Sequence, residues 1–289
     1  MSDRLAHYGV ILEQCEPFLI AGDDIAAALN LCPIGVQIPP QNVFHPQQRK
    51  NADFLAMLQL VDRLTFGPFG MEMPPWVFYD CAVMPGAVFG LGILADRLEE
   101  WARDAMKVPD TYHGLVPVSQ FIAIPMLGGF SPDEAWPTTW LMYTLESLNQ
   151  VSPGIAPAGV LKLTLALGLK VFPIQTLYGT TQWRSPKLAP YADLGPLELV
   201  TAYTPAHSMP RTLSFRLKLK DIHHSSLLVS PRVHPDAPPP NALLDVDDVE
   251  ALKDLQQKIE DGQRVLVVGH PIEHGAHVRV PLYFDAKGR

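Results

Sequence analysis

The chain has 289 residues, of which 47% are hydrophobic and 18% are charged, and its formal net charge is −8. This apolar fraction is sufficient for a core and excludes a chain that is disordered throughout. The excess of acidic residues argues against nucleic acid as a partner, because phosphate binding needs a basic surface. No apolar run reaches the roughly 18 residues of a membrane span, and the N-terminus lacks a signal-peptide pattern. We therefore expect a cytoplasmic protein that binds neither nucleic acid nor membrane.

The 29 prolines and 20 glycines predict short, frequently interrupted elements. Composition divides the chain into three regions. Residues 1–70 form an N-terminal helical segment, residues 71–220 an α/β core domain, and residues 221–289 a Pro-rich linker followed by a helix and two strands. The predicted fold class is α/β (α+β), with a mostly antiparallel, twisted central sheet flanked by helices.

Apolar periodicity and turn residues predict the individual elements. The first half of the chain is predicted to contain helices at Ile25–Leu29 and from Asn51 to Gly67, a β-hairpin of Trp76–Tyr79 with Ala87–Leu94, a helix at Leu94–Met106, a strand at Leu115–Met126 and a helix starting at Ser131. A helix at Val160–Phe172, a strand at Ile174–Trp183, a short helix from Ser185 to Gly195 and strands at Leu197–Tyr203 and Thr212–Leu219 follow. The last region is predicted to contain a helix at Val246–Glu260, capped by Asp245, and strands at Val265–Val268 and Val278–Phe284. A helix start just after Pro85 is the alternative to the hairpin, and Trp140–Val151 is compatible with helix or strand.

The most informative segment is Leu141–Tyr203, with Trp140–Val151 taken as a strand. A loop of small residues then precedes an apolar helix, and a strand, a short helix and another strand follow. This order resembles the second half of the GNAT acyltransferase fold. The small residues of the loop are Gly154, Ala156, Ala158 and Gly159, which allow a backbone to approach an anion closely.

The resemblance implies a binding site for acyl-coenzyme A, in which loop amides and the following helix hold the pyrophosphate. The cofactor-binding residues that it implies are Gln150, Gly154, Ile155, Ala156 and Gly159. It also implies that Glu146, on the strand before the loop, takes the proton of an attacking amine. Tyr191, four residues before Gly195, would protonate the leaving thiolate. A solvated carboxylate and an ordinary half-buried ring are the alternative interpretations of Glu146 and Tyr191.

Two loops at predicted strand ends carry further candidates. His207 is a candidate general base, and Arg184 a candidate ligand for phosphate or carboxylate. The spacing of His270, Glu273 and His274 is that of inverted zinc peptidases, but the surrounding glycines and proline remove the helix that such a site needs. We therefore predict a solvent-facing turn there and no metal.

The sequence leaves three classes of function open. The first is transfer of an acyl group from acyl-CoA or a carrier thioester to a small amine, with the thioester as co-substrate. The second is a lyase or hydrolase of a small carbonyl compound on an unrelated α+β scaffold, using a histidine or one of the lysines of the apolar helix, Lys162 and Lys170. The third is a non-enzymatic binding or assembly protein. Small molecules are the expected partners, and association of the chain with copies of itself stays open.

Overall fold

A computed structural model describes residues 2–32, 35–80, 86–126, 138–172, 174–204, 211–219, 237–275 and 277–285. The chain forms two compact units. The first consists of residues 1–138 and 142–174, and the second of residues 139–141 and 175–289. None of the described helices is long and apolar enough to cross a membrane.

The first unit is an α/β structure built on a mostly antiparallel sheet. Its strands lie in the order β5-β4-β3-β1-β2, with β3 antiparallel to β1 and β4, and β1 parallel to β2. The strands are β1 (Glu16–Ile20), β2 (Val43–Phe44), β3 (Ala87–Leu94), β4 (Leu115–Pro125) and β5 (Thr139–Ser147). The helices are α1 (Ser2–Gln14), α2 (Asp23–Ala28), α3 (Ala52–Phe66), α4 (Trp76–Asp80), α5 (Glu100–Ala105) and α6 (Val160–Val171).

Neighbouring residues of β4 show how two helices cover this sheet. Phe121 stacks on Phe172, just after α6, with ring centroids 5.6 Å apart. Ile122 belongs instead to the apolar cluster that contains Phe54 and Leu58 of α3. Because successive side chains of a strand point to opposite faces, α6 and α3 cover opposite faces of the sheet. Strand β4 is therefore buried on both sides.

The second unit is also mostly antiparallel, and its strands lie in the order β11-β12-β10-β7-β8-β6, with β9 paired to β12. Residues 139–141 of β5 pair in parallel with β6. The strands are β6 (Thr176–Gln182), β7 (Leu197–Thr204), β8 (Thr212–Lys218), β9 (Ala242–Asp245), β10 (Val265–Val267), β11 (Ile272–His274) and β12 (His277–Phe284), and the helices are α7 (Leu188–Ala192) and α8 (Val249–Glu260). The predicted fold class, a mostly antiparallel α/β arrangement, is confirmed.

The predicted β-hairpin at Trp76 is wrong, because this segment is the helix α4. Pro74 and Pro75 precede it, and their carbonyl oxygens accept from the amides of Val77 (3.0 Å) and Phe78 (3.3 Å). Proline is favoured at the start of a helix because its φ angle is already helical. Val77 and Phe78 are both buried although they are adjacent, which a half-exposed strand would not allow. The Pro85 turn lies outside the described residues.

Other boundaries also differ from the prediction. Only Glu100–Ala105 of the predicted Leu94–Met106 helix is α-helical, because β3 runs through Leu94 and the Ala95 amide continues the pairing by donating to Gly114 (2.9 Å). Asp248, rather than Asp245, caps α8, and its carboxylate accepts from two amides of the first turn. The helix predicted from Ser131 and most of the Pro-rich linker lie outside the described residues. The three predicted domain boundaries stay a prediction.

Several elements were not predicted at all. Residues 1–70 contain α1 and the strands β1 and β2, where the prediction had two helices in irregular chain. The two-residue strand β2 exists only through its pairing with Leu19 and Ile20. Near the other terminus, β9 and β11 both pair with β12. Short strands of this kind depend on partners far away in the sequence, so local patterns do not reveal them.

Asp62 is a buried carboxyl on α3, with 2% of its surface exposed. Its Oδ2 accepts from the Met73 amide (2.6 Å), and its Oδ1 is buried without a partner among the described residues. The pKa of the Asp62 carboxyl is raised to about 6, mainly because the group is buried. The hydrogen bond from the Met73 amide partly offsets this increase, and the nearby Glu72 adds to it. The folded chain therefore binds this proton more tightly than the unfolded chain, and its stability falls as the pH rises from about 4 to about 6.

We expect Asp62→Asn to stabilise the protein at pH 7 by about 1–2 kcal/mol, since asparagine still accepts from Met73 but carries no buried charge. The advantage should shrink towards pH 4, where the native carboxyl is protonated. Urea unfolding at both pH values measures it, with Asp254→Asn on the exposed face of α8 as the control. A variant that is less stable than the native chain at pH 7 would refute this explanation of Asp62.

Candidate functional site

The bend of residues 151–159 joins β5 to α6. Strand β5 ends in a 3-10 turn at Leu148–Gln150, and the Asn149 side chain of this turn holds the bend. Its Nδ2 donates to the carbonyl oxygens of Ala156 (2.8 Å) and Pro157 (3.3 Å), and its Oδ1 accepts from the Ala156 amide (3.0 Å). One amide side chain therefore fixes the second half of the bend, a common role of asparagine in turns.

Two glycines give the bend its shape. Gly154 and Gly159 have φ angles of +92° and +85°, a region that other residues rarely adopt. Both are exposed, whereas Ile155 and Ala156 between them are buried. The middle of the bend is thus anchored in the protein, and its two glycines face solvent.

Several backbone amides of the bend and of the first turn of α6 have no acceptor among the described residues. They are the amides of Gly154, Ala158, Gly159 and Leu161. Gly159 is the N-cap of α6, with no side-chain cap, and the first turn contains no acidic residue. A helix start of this kind presents unpaired N–H groups and the positive end of the helix dipole. The arrangement can bind an anionic group such as a phosphate.

Two aromatic side chains flank the bend. The His7 ring, on α1, lies 2.9 Å from the carbonyl oxygen of Ala158 through its Nε2. Trp101, on α5, is 48% exposed, and the edge of its indole lies 3.9 Å from the position that a Cβ on Gly154 would take. An exposed indole beside a group of unpaired amides offers a flat apolar surface next to an anion site.

The structure also locates the other predicted residues of this loop. Gln150 is exposed at the end of the 3-10 turn. The amides of Ile155 and Ala156 donate within the segment, to the Ser152 carbonyl (3.4 Å) and to Asn149 Oδ1 (3.0 Å). The cofactor-binding roles of these residues stay a prediction. The amides available to an anion are those of the two glycines and their neighbours.

Glu146 lies on β5, just ahead of the bend, and is fully buried. The Gln120 side chain, on β4, donates from Nε2 to Glu146 Oε1. Ser119 Oγ donates to the main-chain oxygen of Glu146 (2.8 Å). Two neighbouring polar residues of β4 therefore hold this buried glutamate in place.

Tyr191 lies in the second unit, on α7, and is 2% exposed. Its ring packs against Phe215 of β8 with centroids 5.3 Å apart. Burial raises the pKa of the Tyr191 hydroxyl above its ordinary value, so this group keeps its proton at neutral pH. The raised pKa also makes this hydroxyl a weaker proton donor than an exposed tyrosine. His207, the other predicted catalytic residue, lies outside the described residues.

The remaining polar candidates are engaged in ion pairs of the second unit. His270 Nε2 lies 2.6 Å from Asp193 Oδ1, and the chain around His274 forms β11 and a turn into β12. Arg184 makes two hydrogen bonds to Asp247 (2.7 and 2.6 Å), and Arg211 makes a third (3.2 Å). Arg184 is therefore neutralised by a carboxylate of the chain itself.

One group of potential metal ligands occurs among the described residues, formed by Asp245, Asp247 and His277. Arg184 and Arg211 both donate to the carboxylate of Asp247, and His277 Nδ1 lies 3.0 Å from Asp245 Oδ2. The carboxylate oxygens of this group thus already have arginine or histidine partners within the chain, which argues against a metal ion there.

The lysines of α6 differ in their surroundings. Burial lowers the pKa of the Lys170 ammonium in the last turn of the helix. Lys162 lies in the first turn, close to the bend.

In the same unit, an open pocket of about 460 Å³ is lined mainly by apolar atoms, with Cys32, Asn30 and Gln37 among its residues. None of the predicted site residues lines this pocket.

No family model and no curated protein sequence matches the chain. Solved structures do match it. One is an N-acyl amino acid synthase from uncultured soil microbes, at 14% identity and a TM-score of 0.36, covering 60% of this chain and 88% of that one. An acetyltransferase from Thermus thermophilus matches at 17% identity and a TM-score of 0.34, covering 66% of this chain and 97% of that one. A GNAT-family protein from Desulfovibrio desulfuricans matches at 13% identity and a TM-score of 0.33, covering 63% and 96%. The GNAT family, which residues 141–203 resemble, also occurs among these weak structural matches.

Proposed function

We propose that the chain transfers an acyl group from acyl-CoA, or from a carrier thioester with the same phosphopantetheine arm, to a small amine. The observation that carries this proposal is the group of unpaired amides at the uncapped start of α6. The chain as a whole is acidic and gives no general attraction to anions. Phosphate binding therefore has to come from a local set of donors, which the bend provides.

The flanking residues support a nucleotide-bearing donor rather than free phosphate. The exposed face of Trp101 offers a surface on which an adenine ring can stack while the phosphates contact the Gly154 and Gly159 amides. Simple inorganic phosphate would leave this indole unused. Affinity for coenzyme A should therefore exceed affinity for phosphate alone.

The proposed reaction uses Glu146 as its base. Glu146 takes a proton from the amine through a water molecule, and the amine nitrogen attacks the thioester carbonyl. The new C–N bond forms as the C–S bond breaks. Solvent then carries the proton that Glu146 accepted to the leaving thiolate, and the catalytic role of Tyr191 stays a prediction. His207 stays a proposed second base.

Gly159→Ala tests the anion site. We expect the dissociation constant of coenzyme A to rise at least about tenfold, because alanine disfavours the positive φ angle and moves the neighbouring amides. The same strain should cost about 1–2 kcal/mol of stability. Isothermal titration calorimetry measures the affinity, and thermal unfolding measures the stability.

Gly262→Ala is the matched control. Gly262 follows α8, has a φ angle of +87° and has open space around its Cα. It should lose similar stability and keep the native affinity for coenzyme A. Equal affinities in both variants, or no binding by the native chain, would refute the proposed site.

A further inference from the structure

Two adjacent polar residues interrupt the buried strand β4. Ser119 and Gln120 are both fully buried. The other buried residues of β4 have apolar side chains, and they are Leu115, Val116, Pro117, Val118, Phe121, Ile122, Ala123 and Pro125. Both polar side chains reach the same residue of β5, one contacting the main chain of Glu146 and the other its carboxylate.

The hydrogen bonds of Gln120 are incomplete in a way that stability alone does not explain. Its Nε2 donates to Glu146, while its Oε1 is buried without a partner among the described residues. Leaving a buried acceptor unpaired costs about 1–3 kcal/mol. An apolar residue of similar volume would avoid that cost, so a glutamine here needs a further explanation.

We propose that Gln120 is a positioning residue for the proposed base, and this inference rests on the proposed acyl transfer. Its N–H fixes the rotamer of the Glu146 carboxylate and favours the ionised form, which is the form that accepts the amine proton. Ser119 holds only the main chain of the same residue. The two contacts therefore have separable effects, and the side-chain contact alone bears on the protonation of Glu146.

The test compares Gln120→Met, which keeps the volume but removes the donor, with Ser119→Ala as the matched control. We expect Gln120→Met to lower kcat by about tenfold to hundredfold, less than the loss of a general base itself. The KM for acyl-CoA should stay unchanged, because the bend is intact. The acidic limb of the kcat–pH profile should move to higher pH, since a carboxylate that loses a donor binds its proton more tightly. Ser119→Ala should leave that limb in place.

A second readout is independent of turnover. Carbon-13 NMR of the Glu146 carboxyl, assigned with Glu146→Gln, should show its titration midpoint at higher pH in Gln120→Met than in the native chain. Should Gln120→Met not fold, Gln120→Asn, which keeps the amide but is too short to reach, should show the same changes. An unchanged midpoint in the variant that folds overturns the inference. A native chain that transfers no acyl group while the midpoint still moves overturns the proposed function and leaves the contact itself established.

Discussion

Replacing Glu146 by glutamine should lower kcat for acyl transfer by roughly 10²–10⁴-fold, the usual contribution of a positioned general base. The side chain keeps its size and can still accept a hydrogen bond from Gln120, so the fold should survive. The substitution removes only the ability of this side chain to take up a proton. Single-turnover measurements with a saturating acyl-CoA would isolate this step from binding.

Glu16→Gln is the control for this substitution. Glu16 is also a strand carboxylate of the first unit that accepts from an amide side chain, Asn42 Nδ2, at 3.1 Å. It should keep native activity. Suppose that Glu146→Gln transfers acyl groups within threefold of the native rate, and that both variants unfold at the same urea concentration as the native chain. Glu146 is then not the base.

The second large effect concerns the packing that supports Glu146. Gly90, on β3, lies opposite Gln120 in the register of the sheet. A Cβ on Gly90 would overlap both the Phe18 ring and the main-chain oxygen of Ser119. A main-chain atom in the centre of a sheet has little freedom to move away. We expect Gly90→Ala to destabilise the protein by at least about 3 kcal/mol, the upper range for overpacked cores.

Gly9→Ala provides the contrast to Gly90→Ala. Gly9 lies in α1, and apart from neighbouring atoms of the helix itself no described atom lies within 4 Å of the position of its added Cβ. Alanine is the better helix former, so this variant should be more stable by up to about 1 kcal/mol. Denaturant unfolding of both variants measures the difference. Native-like stability of Gly90→Ala would show that the register of β3 against β4 is wrong.

The segment around the bend could be predicted from sequence because its signals are local. The small residues before the apolar run of α6 identified the loop, and Gly154 and Gly159 do have positive φ angles there. Trp140–Val151, which local patterns left open, contains most of β5 and a 3-10 turn and no α-helix. Strand β8 shows the same local signal, since Leu213, Phe215 and Leu217 are buried, whereas the alternating residues Ser214, Arg216 and Lys218 are partly or fully exposed.

The residues that complete the site could not be predicted, because they reach it through the tertiary structure. Gln120 and Glu146 are 26 residues apart, and His7 meets Ala158 across 151 residues of sequence. Trp101 falls within the predicted Leu94–Met106 helix, but in the structure it is an exposed residue of the shorter helix α5. Asn149 did carry a local signal, since an asparagine before a Pro-Gly turn often bonds to the turn's own backbone.

The central claim is that the bend before α6 binds the phosphates of a coenzyme A thioester. Titration of the nitrogen-15-labelled protein with coenzyme A, followed by amide NMR, tests it most directly. We expect saturable shifts at the amides of Gly154, Ala158, Gly159 and Leu161, larger than those at Ile155 and Ala156. Binding that moves amides elsewhere and leaves these four unchanged would contradict it.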